Sequence, residues 1–148
     1  MEFLSKSVRE TKKIAGDFAR KISKSKPGKW AAVIALSGEL GAGKTTFTQG
    51  FAKALGIKKH ITSPTFVLMK KYELALKFKP YENLVHIDAY RLSGGDDLKT
   101  IGVEELMENS VNIILIEWAE RVKDILPKSA TIVKISHVDE NTRKIFIL

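Results

Sequence analysis

The chain has 148 residues, the size of one ordinary domain, and residues 1–148 are expected to fold as one unit around a single substantial core. Hydrophobic content of 44% and charged content of 28% suit a soluble globular protein, and the absence of cysteine excludes disulfides, thiolate zinc sites and a cysteine nucleophile. The net charge of +8 has two readings, a surface that meets phosphate or RNA, or ordinary lysine-rich solubility. Lysines gather at residues 21–29, 58–59 and 70–71, but no ladder of aromatic residues interleaves them, so a dedicated nucleic-acid platform is not indicated.

At the start of the chain, Met1-Glu2-Phe3-Leu4-Ser5-Lys6 lacks the basic-then-apolar layout of a secretion signal. No stretch approaches the roughly 20 apolar residues needed to cross a bilayer, so a cytoplasmic location without a membrane partner is expected. An amphipathic helix follows: Ser7 with Glu10 makes a capping box, and Val8, Thr11, Ala15, Phe18 and Ile22 recur at helical spacing. Ser25-Lys26-Pro27-Gly28 stops it. Residues 30–36 form a continuous apolar run, the mark of a strand buried on both faces of a sheet. Residues 44–55 return to helical periodicity, and Gly56 sits where a C-cap glycine belongs.

Residues 65–72 and 84–88 read as strands, Asp96 or Asp97 as the cap of a short helix, and residues 103–107 as another helical turn. Residues 111–116 are the most apolar strand, and residues 118–125 are helical up to Pro127. The tail alternates apolar and polar residues over 131–138 and 142–148, and Asp139-Glu140-Asn141 between them suggests a hairpin. The expected fold is α/β, of P-loop NTPase type. A mostly parallel central sheet is flanked by helices and carries an antiparallel C-terminal hairpin.

Gly38-Glu39-Leu40-Gly41-Ala42-Gly43-Lys44-Thr45 is a phosphate-binding loop between a buried strand and a helix. Glycines at 38, 41 and 43 let backbone N–H groups turn inward without a side chain in the way. The helix N-terminus adds partial positive charge aimed at the same anion. Lys44 reaches the outer phosphates, the Thr45 hydroxyl can ligate magnesium, and Thr46 is placed for the inner phosphate.

In open α/β sheets ligands sit beyond the carboxyl ends of the strands, and two other strands end in an acid, Asp88 and Glu117. If both run parallel to the first strand, both acids face the phosphates, one for the metal and one to orient the attacking water. Spacing does not decide which does which. His86, flanked by apolar residues, reads as a packed core histidine; His60 and His137 show no metal-ligand spacing.

Three further segments carry a resemblance: Thr62-Ser63-Pro64-Thr65-Phe66, His86-Ile87-Asp88-Ala89-Tyr90-Arg91 and Glu117-Trp118. With the loop they resemble the bacterial TsaE (YjeE) family, the ATPase of tRNA threonylcarbamoyladenosine biosynthesis. The likeness runs from Glu10-Thr11 to Arg143. It implies an ATPase, weak alone, that works with a threonylcarbamoyl transferase and the inactive paralogue of that transferase. The modification is placed on adenosine 37 of tRNA, and tRNA is met either directly or through those partners.

In that pattern ATP and Mg2+ are the cofactors. Thr45 and Glu117 hold the metal, Lys44 and the loop amides hold the phosphates, and Asp88 assists hydrolysis. Thr62, Ser63, Pro64 and Thr65 form a switch segment, and Thr11 and Arg143 line the adenine side. A Ser-Pro-Thr turn suits such a switch on physical grounds, since its hydroxyls can meet the metal or outermost phosphate while Pro64 limits backbone freedom. Trp118 reads either as near the nucleotide or as plain packing. Ala89 stands where relatives carry a larger apolar residue, and the chain stops soon after Arg143.

Two other readings compete. A small-molecule kinase would need a mobile lid carrying arginines, and only Arg91 and Arg121 lie in plausible positions. A non-hydrolytic ATP sensor would keep the loop and dispense with the carboxylates. A GTPase lacks support, because no Asn-Lys-x-Asp segment is present.

Overall fold

The computed structural model describes residues 1–39, 41–62 and 68–148. In chain order its elements are β1 (Glu2–Ser5), α1 (Val8–Lys24), β2 (Ala32–Ser37), α2 (Lys44–Ala54), β3 (Met69–Glu73), β4 (Asn83–Asp88), α3 (Asp96–Thr100), α4 (Val103–Met107), β5 (Asn112–Glu117), β6 (Thr131–His137) and β7 (Arg143–Ile147). Short 3-10 segments lie at Leu76–Phe78 and Ala119–Ile125.

The helix starts and stops follow from local chemistry. Ser7 caps α1 by accepting from the Glu10 amide at 3.0 Å, while the Glu10 carboxylate takes the Lys6 amide at 2.7 Å, one residue earlier than a strict capping box. At the end of α2, Gly56 takes φ +80°. Its amide bonds the Lys53 carbonyl and that of Ile57 bonds Ala52, which is the Schellman arrangement.

Among the described residues, seven strands make one mixed sheet in the order β1-β7-β6-β2-β5-β4-β3. The inner four, β6, β2, β5 and β4, run parallel; β3, β7 and β1 pair antiparallel outside them. The parallel centre and the C-terminal hairpin of β6 and β7 are as the sequence suggested. Register carries the functional consequence. Leu36 lies beside Glu117 and Glu117 beside Asp88, so three strand ends meet at one edge of the sheet.

Period-two alternation divides the core. Ile34 and Leu36 of β2 face α1 and α2, joining Phe47 and Phe51, whereas Val33 and Ala35 face α3 and α4, joining Leu98 and Val103. Burial on both faces explains the unbroken apolar runs of β2 and β5.

Three expectations change. Asp96 and Asp97 do not cap α3; they occupy its first turn, Gly95 is the cap, and the Gly95 amide is bound by the Asp124 carboxylate at 3.0 and 3.2 Å. The strand expected over residues 65–72 is β3, Met69–Glu73, and residues 65–67 of that span lie outside the described residues. The N-terminal strand β1 was not foreseen; it has only four residues and adds to β7, with the Met1 amino group donating to the Ile147 carbonyl at 2.7 Å.

Candidate functional site

β2 delivers the chain into the loop through Gly38, whose φ of +152° brings its Cα against the Ile135 carbonyl, where any Cβ would collide. Gly43, at φ +107°, is the N-cap of α2 and offers no side chain to the first turn. A helix start of this kind favours an anion, through its N–H groups and the positive end of the helix dipole. Leu40 lies outside the described residues, as do Ser63, Pro64 and Thr65. Thr62 is exposed, just after the point where the Gln49 amide holds the Ile61 carbonyl at 2.9 Å.

Lys44, the first residue of α2, is buried. Its ammonium donates to the carbonyls of Gly38 and Glu39 and stands 4.0 Å from the centre of the Trp118 ring. Burial holds its pKa below the usual lysine range, opposed by the carboxylates of Glu120, Glu117, Asp88 and Glu39. Trp118 is more than packing: it adopts φ +58°, stacks obliquely with Tyr90 at 5.0 Å, and has the Arg121 guanidinium 5.4 Å away.

Thr45 and Glu117 meet. The Thr45 hydroxyl donates to Glu117 Oε1 at 3.3 Å, although 72 residues separate them. Glu117 is 2% exposed, and its other oxygen, Oε2, lies 2.5 Å from His86 Nε2. His86 Nδ1 is buried without a hydrogen-bond partner among the described residues, so the imidazole spends its one polar contact on Glu117. Sequence reading took His86 for a core histidine. It is in the core, but as the support of a site carboxylate. The available signal was spacing, since residues 86 and 88 of one strand share a face.

Asp88 is half-buried beside this pair and accepts the Tyr90 amide at 3.0 Å. Burial raises its pKa and the Glu117 carboxylate adds to the rise, while the Tyr90 amide, His86 and Lys44 oppose it. The same groups could serve a divalent cation and a base. Magnesium is satisfied by one or two protein oxygens completed by water, and a threonine hydroxyl with a carboxylate is such a hard-oxygen set.

On the far side of the loop a cleft of about 130 Å³ is lined by Ser7, Val8, Thr11, Gly41, Gly43, Thr46, Glu140, Asn141 and Arg143. Thr11 and Arg143 thus come together with the loop although they are distant in sequence. Arg143 Nε donates to the Ala42 carbonyl at 3.1 Å, and Nη1 gathers the carbonyls of Asp139, Glu140 and Thr142. Thr11 is buried with its hydroxyl 2.7 Å from that of Ser5. The β6–β7 turn residues Glu140 and Asn141 read from sequence as a hairpin turn and not as part of the site, because only the fold carries that turn to the loop.

A sequence model of the family described as threonylcarbamoyl adenosine biosynthesis protein TsaE matches residues 5–145. A protein named tRNA threonylcarbamoyladenosine biosynthesis protein TsaE from Rickettsia typhi is 36% identical over 138 residues, covering 93% of this chain and 87% of its own. The protein of the same name from Haemophilus influenzae is 36% identical over 110 residues, 74% of this chain but 66% of its own, just under two thirds of that relative's length. The crystal structure of YdiB from Bacillus subtilis superimposes with a TM-score of 0.73 at 32% identity, covering 98% of this chain and 82% of that one. Loop, strand-end carboxylates and these likenesses agree, and the chain belongs to the TsaE family of threonylcarbamoyl adenosine biosynthesis proteins.

Proposed function

We propose that this protein binds and hydrolyses ATP as a subunit acting in tRNA threonylcarbamoyladenosine biosynthesis, alongside a threonylcarbamoyl transferase and the inactive paralogue of that enzyme. The observation that carries the reading is the convergence of Lys44, Thr45 and Glu117 at the mouth of a P-loop, with Asp88 in the adjoining strand-end position.

In this reading the loop amides from Gly38 to Gly43 and the first turn of α2 bind the phosphates. Lys44 exchanges its two loop carbonyls for phosphate oxygens. Thr45 and Glu117 would hold Mg2+, which when bound neutralises the charge that develops on the transferred phosphoryl group. Asp88 orients the attacking water and takes up its proton. Its raised affinity for a proton makes it a stronger base than a solvated aspartate. Thr46 meets the inner phosphate, Thr11 and Arg143 border the adenine side, and Thr62, Ser63, Pro64 and Thr65 respond to the outermost phosphate. In this reading residues 1–148 act as one P-loop domain.

The test is ATP turnover by the purified protein, alone and with the transferase and its paralogue, together with tRNA modification by the three proteins. Turnover should rise with the partners and modification should require this chain. Normal modification in its absence would sink the proposal, and phosphate transfer to a metabolite would make it a kinase.

A further inference from the structure

The fold gathers part of the basic charge on one side of the sheet. The side of the sheet covered by α1 and α2 holds Arg9, Lys12, Lys13, Arg20, Lys53, Lys58 and Lys59, all exposed. The other side, covered by α3 and α4, carries Asp96, Asp97, Glu104, Glu105 and Glu108.

On the basic side these residues line two clefts rather than a flat surface. One, of about 810 Å³, runs between α1 and α2 and is bordered by Arg9, Lys12, Lys13, Arg20 and Lys53. The other, of about 530 Å³, is bordered by Lys12, Lys53, Lys58, Lys59 and His60 beside Gln49 and Ile61. Lys12 and Lys53 belong to both, so the clefts are continuous, and among the described residues no carboxylate lines either. Arg9 to Arg20 alone spans about 16 Å along the helix at 1.5 Å per residue.

The charges are also left uncompensated. Asp17 pairs with Lys13 at 3.4 Å and Arg20 at 2.6 Å, but among the described residues Arg9, Lys12, Lys53, Lys58 and Lys59 have no ion-pair partner. On the acidic side Lys99 is paired with Glu104. Lys12 and Lys53 are moreover brought to the same clefts by close packing of α1 on α2. Gly50 of α2 lies against the backbone of Lys12, where a Cβ would come within 2.6 Å of both its Cα and its carbonyl oxygen. Close helix packing that gathers like charges works against folding unless an anion is met there.

We infer that this continuous cleft binds the sugar–phosphate backbone of RNA. The lining chemistry selects that partner over an acidic protein. Protein interfaces are centred on large aromatic anchors, and among the described residues the cleft walls contain no phenylalanine, tyrosine or tryptophan. Lysine and arginine rows without aromatic platforms make phosphate contacts that position a folded RNA without reading its bases. The inference does not depend on ATP hydrolysis.

The full chain is titrated, without nucleotide, against a fluorescent RNA hairpin and against unfractionated tRNA over a series of salt concentrations. Four to five phosphate contacts give a log–log salt slope of about −4. Lys12→Glu with Lys53→Glu should weaken binding at least about tenfold and flatten the slope by about 2. Lys58→Gln with Lys59→Gln, which leaves the helix packing untouched, should weaken binding in the same direction. Lys99→Glu, on the opposite side, should leave it unchanged. Equal loss in the Lys99→Glu control, or binding without salt dependence, overturns the inference. So does a poly-glutamate peptide that binds as tightly as RNA and is equally sensitive to the cleft variants, a result that would assign the cleft to an acidic protein. An ATP-induced rise in melting temperature that persists in Lys58→Gln/Lys59→Gln separates this failure from failure of the nucleotide site.

Discussion

His86 and Glu117 are buried against each other beneath the candidate site, with imidazole Nε2 2.5 Å from carboxylate Oε2. The contact crosses from β4 to β5 and leaves Glu117 Oε1 turned to Thr45. The histidine therefore fixes which carboxylate oxygen is offered to the loop. It is a positioning residue, since nothing brings it to the mouth itself.

Replacing the donor should expose that role. His86→Leu keeps the volume roughly but strands a buried carboxyl group, and should cost about 3 kcal/mol in urea unfolding. His86→Gln retains an N–H and should recover part of the stability, along with part of the Mg2+-dependent rise in melting temperature in the presence of ATP. A His86→Leu protein as stable as the parent would refute the pairing as a structural necessity.

Asp88 supplies a pH test. Its folded pKa is raised by burial and by Glu117, so the ionised form is disfavoured in the folded state. Wherever Asp88 is ionised in the folded state it lowers stability, and that penalty is relieved as pH falls through the folded pKa. Asp88→Asn should therefore melt above the parent at neutral pH, with the advantage shrinking in acid, while turnover is lost. A variant that melts lower at neutral pH would show that the Tyr90 amide contact outweighs burial.

Trp118 should report on Lys44. The ammonium stands 4.0 Å from the ring centre, and phosphate bound by the loop should draw it away. The chain has two tryptophans, so Trp30→Phe leaves one reporter. Titration with ATP and Mg2+ should shift its emission, and Lys44→Ala should abolish both the shift and nucleotide binding. An unchanged spectrum on saturation would contradict the placement of Trp118 at the site.

The α1–α2 contact predicts a backbone clash. Gly50→Ala puts a methyl group 2.6 Å from the Lys12 Cα and carbonyl oxygen, atoms that cannot rotate away. Destabilisation of about 2 kcal/mol or more is expected by denaturant unfolding. A neutral effect would mean that the two helices separate without loss.

Sequence alone determined what is written in short spans: the phosphate loop, the Ser7 and Gly56 helix signals, the doubly buried strands and the C-terminal hairpin. Those features follow from torsional preference and side-chain periodicity within a few residues, so they survive without knowledge of the rest. The acids Asp88 and Glu117 were legible as strand ends, because an acid after an apolar run is a local pattern. Tertiary structure decided everything that depends on register and on which face a side chain takes. His86 reaches Glu117 across 31 residues, Thr45 reaches it across 72, and Arg143 meets Ala42 across 101. The short strand β1 exists because β7 offers it an edge. The net charge was legible, but its uneven distribution over the two sides of the sheet was not, because placing charges requires knowing where each helix packs.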